Sequence, residues 1–538
     1  MAVATLKKVR DDLYRVGTAI FAETLDSCPA PPGPMRVEAG MNLDYLRHAR
    51  MRWAAVVAVA VFLALATATL HTARPWCDEA WFANPAFNLL HSGRMATTVL
   101  EPTGHYRHPQ GIQEYTYWVM PLHILAQVPW YAVFGFGIIS LRWLSLCWGL
   151  LGLTSVYEFV RIVSGKPALA SLTVALLASD FVYVNTASTG RMDMMSAALG
   201  MTALAVYVRL RERSPRWALL AAHCLVAAAL FTHPVGGMVG LVALLVASLK
   251  DTGQRKWGYL LLAPPPYLAG ALAWGVYVSR RPDLFVAQFF SNAEGRFADL
   301  AHPIRMVKRE IVERYLLNYG LAPYSSAAGL SKLAIIAFYA GSVLLLMSSA
   351  RLRQRVNSPL LILVPLASLL GLMILDSTRQ AYYLVYAVVS LATLAGAFLY
   401  SAWLEYPRAR PALLIAVALL VAVQFATMAS RIRSNPMGRA FQPVVAFLGG
   451  NYANQRIYGS AEIGMALGFP RNFVDDPSLG FYTHVEPDAF VVEEVGYEQS
   501  FISFQTKLPA VYRHISQLRS SYVRVYDSGR YQVYARHE

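Results

Sequence analysis

Two adjacent carboxylates, Asp78 and Glu79, stand in the stretch Arg74-Pro75-Trp76-Cys77-Asp78-Glu79-Ala80-Trp81, just beyond the first long apolar run at 53–70. An ionised side chain at the centre of a bilayer costs at least ~3 kcal/mol. At the water interface that cost is small, so acids placed there stay ionised and can accept a proton. A helix cap is the alternative reading, because acids in a first turn complement its exposed N–H groups. A further acid, Asp193 in Gly190-Arg191-Met192-Asp193, ends a later apolar run on the same expected side and favours a shared site. Histidines at His105 and His108, with Glu101 and Glu114 nearby, have metal-like spacing. They lack a complete ligand set, so a hydrogen-bonded histidine pair is the favoured reading and a divalent metal is not.

The elements that must position these groups are membrane helices. Of the 538 residues, 56% are hydrophobic and only 15% charged, against about 25% in an ordinary soluble protein. Apolar runs approach the ~20 residues needed to span hydrocarbon. The net charge of +15 comes mostly from short basic clusters between those runs, which orient helices; no basic stripe with interleaved aromatics points to nucleic acid. Cys28, Cys77, Cys147 and Cys224 show no paired spacing. Residues 1–50 read as a cytoplasmic tail and linker rather than a cleaved signal, and start codons at Met35, Met41 or Met51 are an alternative account of it.

Arg47, Arg50 and Arg52 hold the start of the first span in the cytoplasm. Eleven spans are expected, at 53–70, 141–160, 169–186, 194–208, 217–231, 235–249, 259–278, 330–347, 360–375, 384–400 and 413–429. Every short loop rich in basic residues then falls inside. The expected first external loop, 71–140, carries interfacial helices. The external segment 279–325 is rich in arginine, including Arg281, Arg296, Arg309 and Arg314, and reads either as a soluble surface helix or as an anion site. Residues 431–538 form an external α/β domain whose hairpin runs through Asp527-Ser528-Gly529-Arg530. That domain holds no catalytic constellation; acceptor binding and stabilisation of the loops are both open. The fold class is an all-α polytopic membrane domain, 51–430, followed by this small α/β domain.

In that order the parts resemble the polytopic GT-C glycosyltransferases, nearest in layout to the bacterial branch of protein O-mannosyltransferases and the aminoarabinose transferase of lipid A. The match runs over residues 50–400: Asp78-Glu79 after span one, Tyr106-Arg107-His108-Pro109, Gly135 and Arg142, the Gly165 turn, Asp193, and the 379–383 segment. Pro109-Gln110 replaces the family's frequent double proline, and the late segment lacks a proline after Tyr382-Tyr383. The resemblance implies a bacterial inner-membrane enzyme that takes a sugar from a polyprenyl-phosphate donor and passes it, with inversion, to an acceptor hydroxyl of a lipid, glycan or protein. It implies Asp78 as base, Glu79 as an orienting group and Asp193 as a positioning acid. Arg142, Arg191, Arg379 and His108 are candidates for the donor phosphate, each with an ion-paired or interfacial alternative. Tyr382 and Tyr383 are candidates for the donor headgroup, or else an aromatic belt. Oligosaccharyltransferase-like relatives place a divalent ion between such acids; here Arg191 stands where a second carboxylate would be wanted. A transporter or lipid flippase is the competing reading, disfavoured because the acids cluster at one face and no internal repeat is visible.

Overall fold

Proline opens many of the helices and glycine closes several, because proline lacks the N–H that a first turn leaves unused and glycine accepts a left-handed cap. The computed structural model describes residues 39–103, 110–251, 261–296, 300–321 and 327–537. It divides into two units, Met1–Arg50 and Met51–Glu538, and the membrane bundle and the sheet lie in the second. The helices are α1 (Ala39–Thr72), α2 (Cys77–Ser92), α3 (Pro121–Phe134), α4 (Ile138–Ser164), α5 (Pro167–Ser179), α6 (Phe181–Ala187), α7 (Met192–Leu210), α8 (Pro215–Thr232), α9 (Pro234–Lys250) and α10 (Pro264–Val278). After them come α11 (Pro303–Arg309), α12 (Leu333–Ser348), α13 (Ala350–Val356), α14 (Leu360–Leu375), α15 (Leu384–Glu405) and α16 (Arg410–Ser434).

The expected runs fall on these helices, or on two where a run is broken; the start of the run 259–278 lies outside the described residues. Among the described residues six helices are individually long and apolar enough to cross a membrane, or up to eight if each of two bent pairs is one span. Helix α15 is the centre of the bundle, buried over nearly its whole length between α5, α12 and α14. Small residues permit that approach: a Cβ on Gly396 would lie 2.5 Å from the Thr173 hydroxyl of α5.

The expected third span, 169–186, is not continuous. It bends by 69° between α5 and α6. The cause is Asp180, which leaves helical geometry and caps α6, its Oδ1 accepting the N–H groups of Val182 and Tyr183 at 2.9 and 3.2 Å. Its Oδ2 accepts the Tyr339 hydroxyl and the Gln424 amide, both at 2.9 Å. Four hydrogen bonds offset the desolvation of a carboxylate that is wholly buried.

The C-terminal part contains α17 (Gln442–Asn451), α18 (Ala461–Ala466), α19 (Tyr497–Lys507) and α20 (Pro509–Ser521), around β1 (Ile457–Tyr458), β2 (Phe473–Val474), β3 (Ala489–Glu493), β4 (Tyr522–Asp527) and β5 (Tyr531–Arg536). The sheet order is β2-β1-β3-β5-β4, with β1 parallel to β2 and β3, and β4 and β5 forming the expected hairpin. Because side chains alternate along a strand, β3 serves two cores. Phe490 and Val492 pack with Phe501, Phe504 and Ile515 of α19 and α20. Ala489 and Val491 share a core with Ala80, Val99 and Leu100 of the first loop. The sheet and the loop carrying Asp78 are therefore packed as one body.

Asp475 ties that junction. It accepts the Trp81 indole N–H and the Tyr497 hydroxyl, each at 2.9 Å, and the Ala461 N–H at 3.1 Å. Burial, with help from the nearby Glu462 carboxylate, pushes its pKa from 3.8 up to about 7. The unfolded chain thus loses this proton at a lower pH than the folded one. The contribution of Asp475 to stability should be greatest below about pH 4, fall as pH rises to about 7, and level off above. Asp475→Asn, which can keep these bonds without a charge, is expected to flatten the fall in melting temperature between pH 5 and 8, followed by tryptophan fluorescence. Equal slopes for both proteins would remove Asp475 as the cause.

Candidate active site

The site begins with a helix start. Trp76 is extended (φ −114°, ψ 141°) and caps α2, and its N–H is accepted by Glu79 at 2.9 Å, a glutamate at the third helical position reaching back to the cap. Glu79 is wholly buried and does more than cap. Arg142 of α4 grips it with two parallel bonds, Nε to Oε1 at 2.8 Å and Nη2 to Oε2 at 2.7 Å. The Gly190 N–H donates to the same Oε1 at 2.8 Å. A side chain at 190 would not fit: its Cβ would lie 2.4 Å from Leu141. Glu79 thereby clamps three segments and brings the residue after Gly190 beside Asp78.

That residue is Arg191, the N-cap of α7. Its Nη1 contacts Asp78 and its Nε donates to Asp193 Oδ2 at 2.9 Å. Two acids, distant in sequence, meet on one guanidinium. Its carbon lies 3.8 Å from the centroid of the Tyr382 ring, a stacked cation–π contact. The Asp193 side chain is fully buried, whereas that of Asp78 remains 17% accessible. Asp78, Arg191 and Tyr382 all lie at helix starts, so the cluster forms at one end of the bundle.

Tyr383 is buried, meets Tyr382 edge-to-face with centroids 4.6 Å apart, and accepts Arg296 Nη1 at 3.0 Å. His233 packs on Tyr383 at 5.0 Å. His123 of α3 lies against Phe82 and within electrostatic reach of Asp193. Burial lowers its pKa to about 4, so the ring is neutral at neutral pH.

Two sizeable cavities lie among the described residues. A polar one of about 760 Å³ is lined by Arg191, Tyr382, Trp76 and Arg142 on one side. An apolar groove of about 610 Å³ runs between α3, α8 and α10, with Pro121 and Leu122 next to His123 in its wall and Arg280 at its rim.

The same arrangement of helices occurs in solved structures. ArnT from Cupriavidus metallidurans bound to undecaprenyl phosphate superposes with a TM-score of 0.58 at 17% identity, over 89% of this chain and 97% of that one. Its apo state gives 0.57 at 17% identity, over 90% and 98%. The apo oligosaccharyltransferase of Archaeoglobus fulgidus gives 0.50 at 13% identity, over 87% of this chain and 68% of that one. Residues 120–278 match the family described as dolichyl-phosphate-mannose-protein mannosyltransferase. The chain has the GT-C fold, of the ArnT-like kind. No curated protein sequence matches it significantly.

Within this fold the expected site residues separate. Asp78, Arg191, Asp193 and Tyr382 come together, with Tyr383 adjoining. Glu79 is a buried clamp without a free face. Arg142, expected at a phosphate, spends all five of its N–H groups: two on Glu79, and the others on the carbonyls of Leu70, Ala73 and Arg74 at 2.8 to 3.3 Å. It has none left for a ligand. Arg379, held in a left-handed conformation (φ 55°), has Nε 2.7 Å from Glu310 in a buried cluster with Arg314 and Asp376. Tyr383 is interior, not part of a belt. His108, with His105, lies outside the described residues.

Much of the basic external segment is likewise paired internally: Arg281 with Asp283 and Glu114, Arg309 with Glu313, Arg314 with Glu310 and Asp376. His233 and His123 are not among the expected site residues, and Arg296 is expected only as one of the arginines of the external segment read as an anion site. A divalent ion between Asp78 and Asp193 does not fit the donor set here, because Arg191 neutralises both acids and fills the space between them. Among the described residues no group of three or more metal-binding side chains exists.

Proposed function

We propose that this chain is an integral-membrane glycosyltransferase that moves a sugar from a polyprenyl-phosphate carrier to an acceptor hydroxyl, at the outer face and with inversion. The observation that carries the reading is the meeting of Asp78 and Asp193 on Arg191, which together with Tyr382 lines a cationic cavity. ArnT of C. metallidurans binds undecaprenyl phosphate, and the same class of carrier is proposed here. The groove suits the first units of a prenyl chain, and Arg280 at its rim suits an anion beside them.

Asp78 takes the proton of the acceptor hydroxyl as its oxygen attacks the anomeric carbon from the side opposite the phosphate. The bond from that carbon to the phosphate oxygen breaks, and the charge leaves with the prenyl phosphate. The residual exposure of Asp78 leaves it reachable by the acceptor hydroxyl. Asp193 holds Arg191 from behind, and Tyr382 holds it from the face. Cations near the departing phosphate stabilise the charge that develops there. The acceptor hydroxyl belongs to a lipid, a glycan or a protein.

Sugar-labelled polyprenyl phosphate in proteoliposomes tests the reading. A transferase consumes it and releases prenyl phosphate once acceptor is present; a flippase moves it intact, and that result would replace this proposal. In the same assay Arg191→Lys is expected to lower turnover by about 10- to 100-fold, since an ammonium cannot bridge two carboxylates and stack on Tyr382 as a guanidinium does.

A further inference from the structure

Two arginines and two acids lie buried just ahead of Tyr382 and line neither sizeable cavity: Glu310, Arg314, Asp376 and Arg379. Their contacts close a circuit. Asp376 Oδ2 is 2.9 Å from Arg314 Nη2, Arg314 Nε is 2.6 Å from Glu310 Oε1, and Glu310 Oε2 is 2.7 Å from Arg379 Nε. The Arg379 N–H then returns to Asp376 Oδ2 at 3.2 Å. Glu310 and Arg314 belong to the external segment, whereas Asp376 and Arg379 stand in the link between α14 and α15. Other bonds join the same two stretches. The Asn318 amide donates to the Arg379 carbonyl at 3.1 Å, and the Ser377 N–H to the Arg296 carbonyl at 2.7 Å.

A balanced set of buried charges adds little stability over an apolar core, and its best-attested use is to select one geometry among several. The backbone at Arg379 says which geometry. Its φ of 55° lies in the left-handed region, which is costly for any residue with a Cβ and persists only where the surroundings impose it. Here they act on the N–H through Asp376, on the carbonyl through Asn318 and on the side chain through Glu310. Only Gln380 and Ala381 separate this turn from Tyr382, whose ring covers the Arg191 guanidinium at 3.8 Å. Gln380 is extended, and the Tyr383 N–H closes on its carbonyl at 3.1 Å, so the direction of the turn is passed on to the tyrosine with little slack.

We propose that Arg379 is a positioning residue: latched by Glu310, it fixes the turn that lays Tyr382 on Arg191 and so keeps that guanidinium against Asp78. The inference deepens the glycosyltransferase reading and rests on it. It also accounts for an arginine where left-handed backbone favours glycine, since glycine would permit the turn without holding it.

Arg379→Gly tests the latch, because glycine accepts the turn and removes only the side chain. Full-length protein in phosphatidylcholine nanodiscs would be treated with phenylglyoxal, well below the melting temperature of every variant, and modification of Arg191 followed by peptide mass spectrometry. Arg191 is expected to react about five- to tenfold faster in Arg379→Gly than in the wild type, and Arg379→Gly should add nothing in a Tyr382→Leu background, because its effect passes through the ring. Equal acceleration in both backgrounds, or acceleration in neither, overturns the proposal. In proteoliposomes kcat for sugar transfer should fall about three- to tenfold in Arg379→Gly at an unchanged KM for the donor, and the double variant should turn over no more slowly than Tyr382→Leu alone. If Arg379→Gly does not fold, Glu310→Gln, which leaves Arg379 in place, is read by the same criteria. A wild-type protein that transfers sugar while Arg191 reactivity is unmoved by these variants would sink the latch only, whereas absent transfer with the reactivity shifts intact would sink the enzyme reading only.

Discussion

Asp78→Asn is expected to lower sugar transfer by about 10²- to 10⁴-fold, the range typical of losing a general base, while leaving the fold intact. The asymmetry follows from where the residue sits. Asp78 is in the first turn of α2, part-exposed, and its one charged partner, Arg191, keeps Asp193 after the substitution. Asparagine can still accept from Arg191 but cannot take a proton from an alcohol. The measurement is release of prenyl phosphate from a sugar-loaded carrier, alongside thermal unfolding and binding of undecaprenyl phosphate. Turnover near that of the wild type, with folding and binding unchanged, would move the base elsewhere. Asp193→Asn should behave differently. Asp193 is buried and touches Arg191 rather than the cavity, so its loss should act through Arg191 and be mimicked in part by Arg191→Lys.

That Asp78 and Asp193 lie at the same end of the bundle is legible in the sequence, because apolar run lengths and basic loops set which helix ends share a face. The hairpin of β4 and β5 was legible for a similar reason: alternation and an Asp-Ser-Gly turn are local signals. What could not be read was rotation about a helix axis. Arg142 opens α4 in a position that sequence alone allows to face a ligand, lipid or an acid, and only packing shows all five of its donors consumed. The same holds for the arginines of 279–325, whose partners Glu310, Asp376 and Glu114 are supplied by folding. Asp180 sits in an otherwise apolar run, and its burial is offset by Tyr339 and Gln424, far along the chain. Arg296 and His123 carry no motif at all; each becomes part of the site through a neighbour from another segment, Tyr383 in one case and Asp193 in the other.

The pair formed by Glu79 and Arg142 makes the opposite prediction to Asp78: a large loss of stability that takes activity with it. Both side chains are completely buried. Breaking a buried ion pair by removing one member typically costs about 3–5 kcal/mol, because the other charge is left without compensation. The two halves should not be equal. Glu79→Gln leaves the Arg142 guanidinium with three carbonyl acceptors and a neutral amide, so part of its solvation survives. Arg142→Leu leaves a buried carboxylate holding only the N–H groups of Trp76 and Gly190, and also strips a donor from the Leu70 and Ala73 carbonyls. Arg142→Leu should therefore unfold at the lower temperature of the two. The double variant, which carries no buried charge at this point, should recover some of the loss, with a coupling on the order of 1–3 kcal/mol in a thermal or denaturant cycle. Activity should not return with it. The Gly190 N–H is anchored on Glu79, and that anchor is what sets Arg191 against Asp78. A double variant as stable as the wild type yet still inactive would separate the two roles of the clamp, whereas additive single losses would mean that Glu79 and Arg142 act independently and that the clamp does not exist.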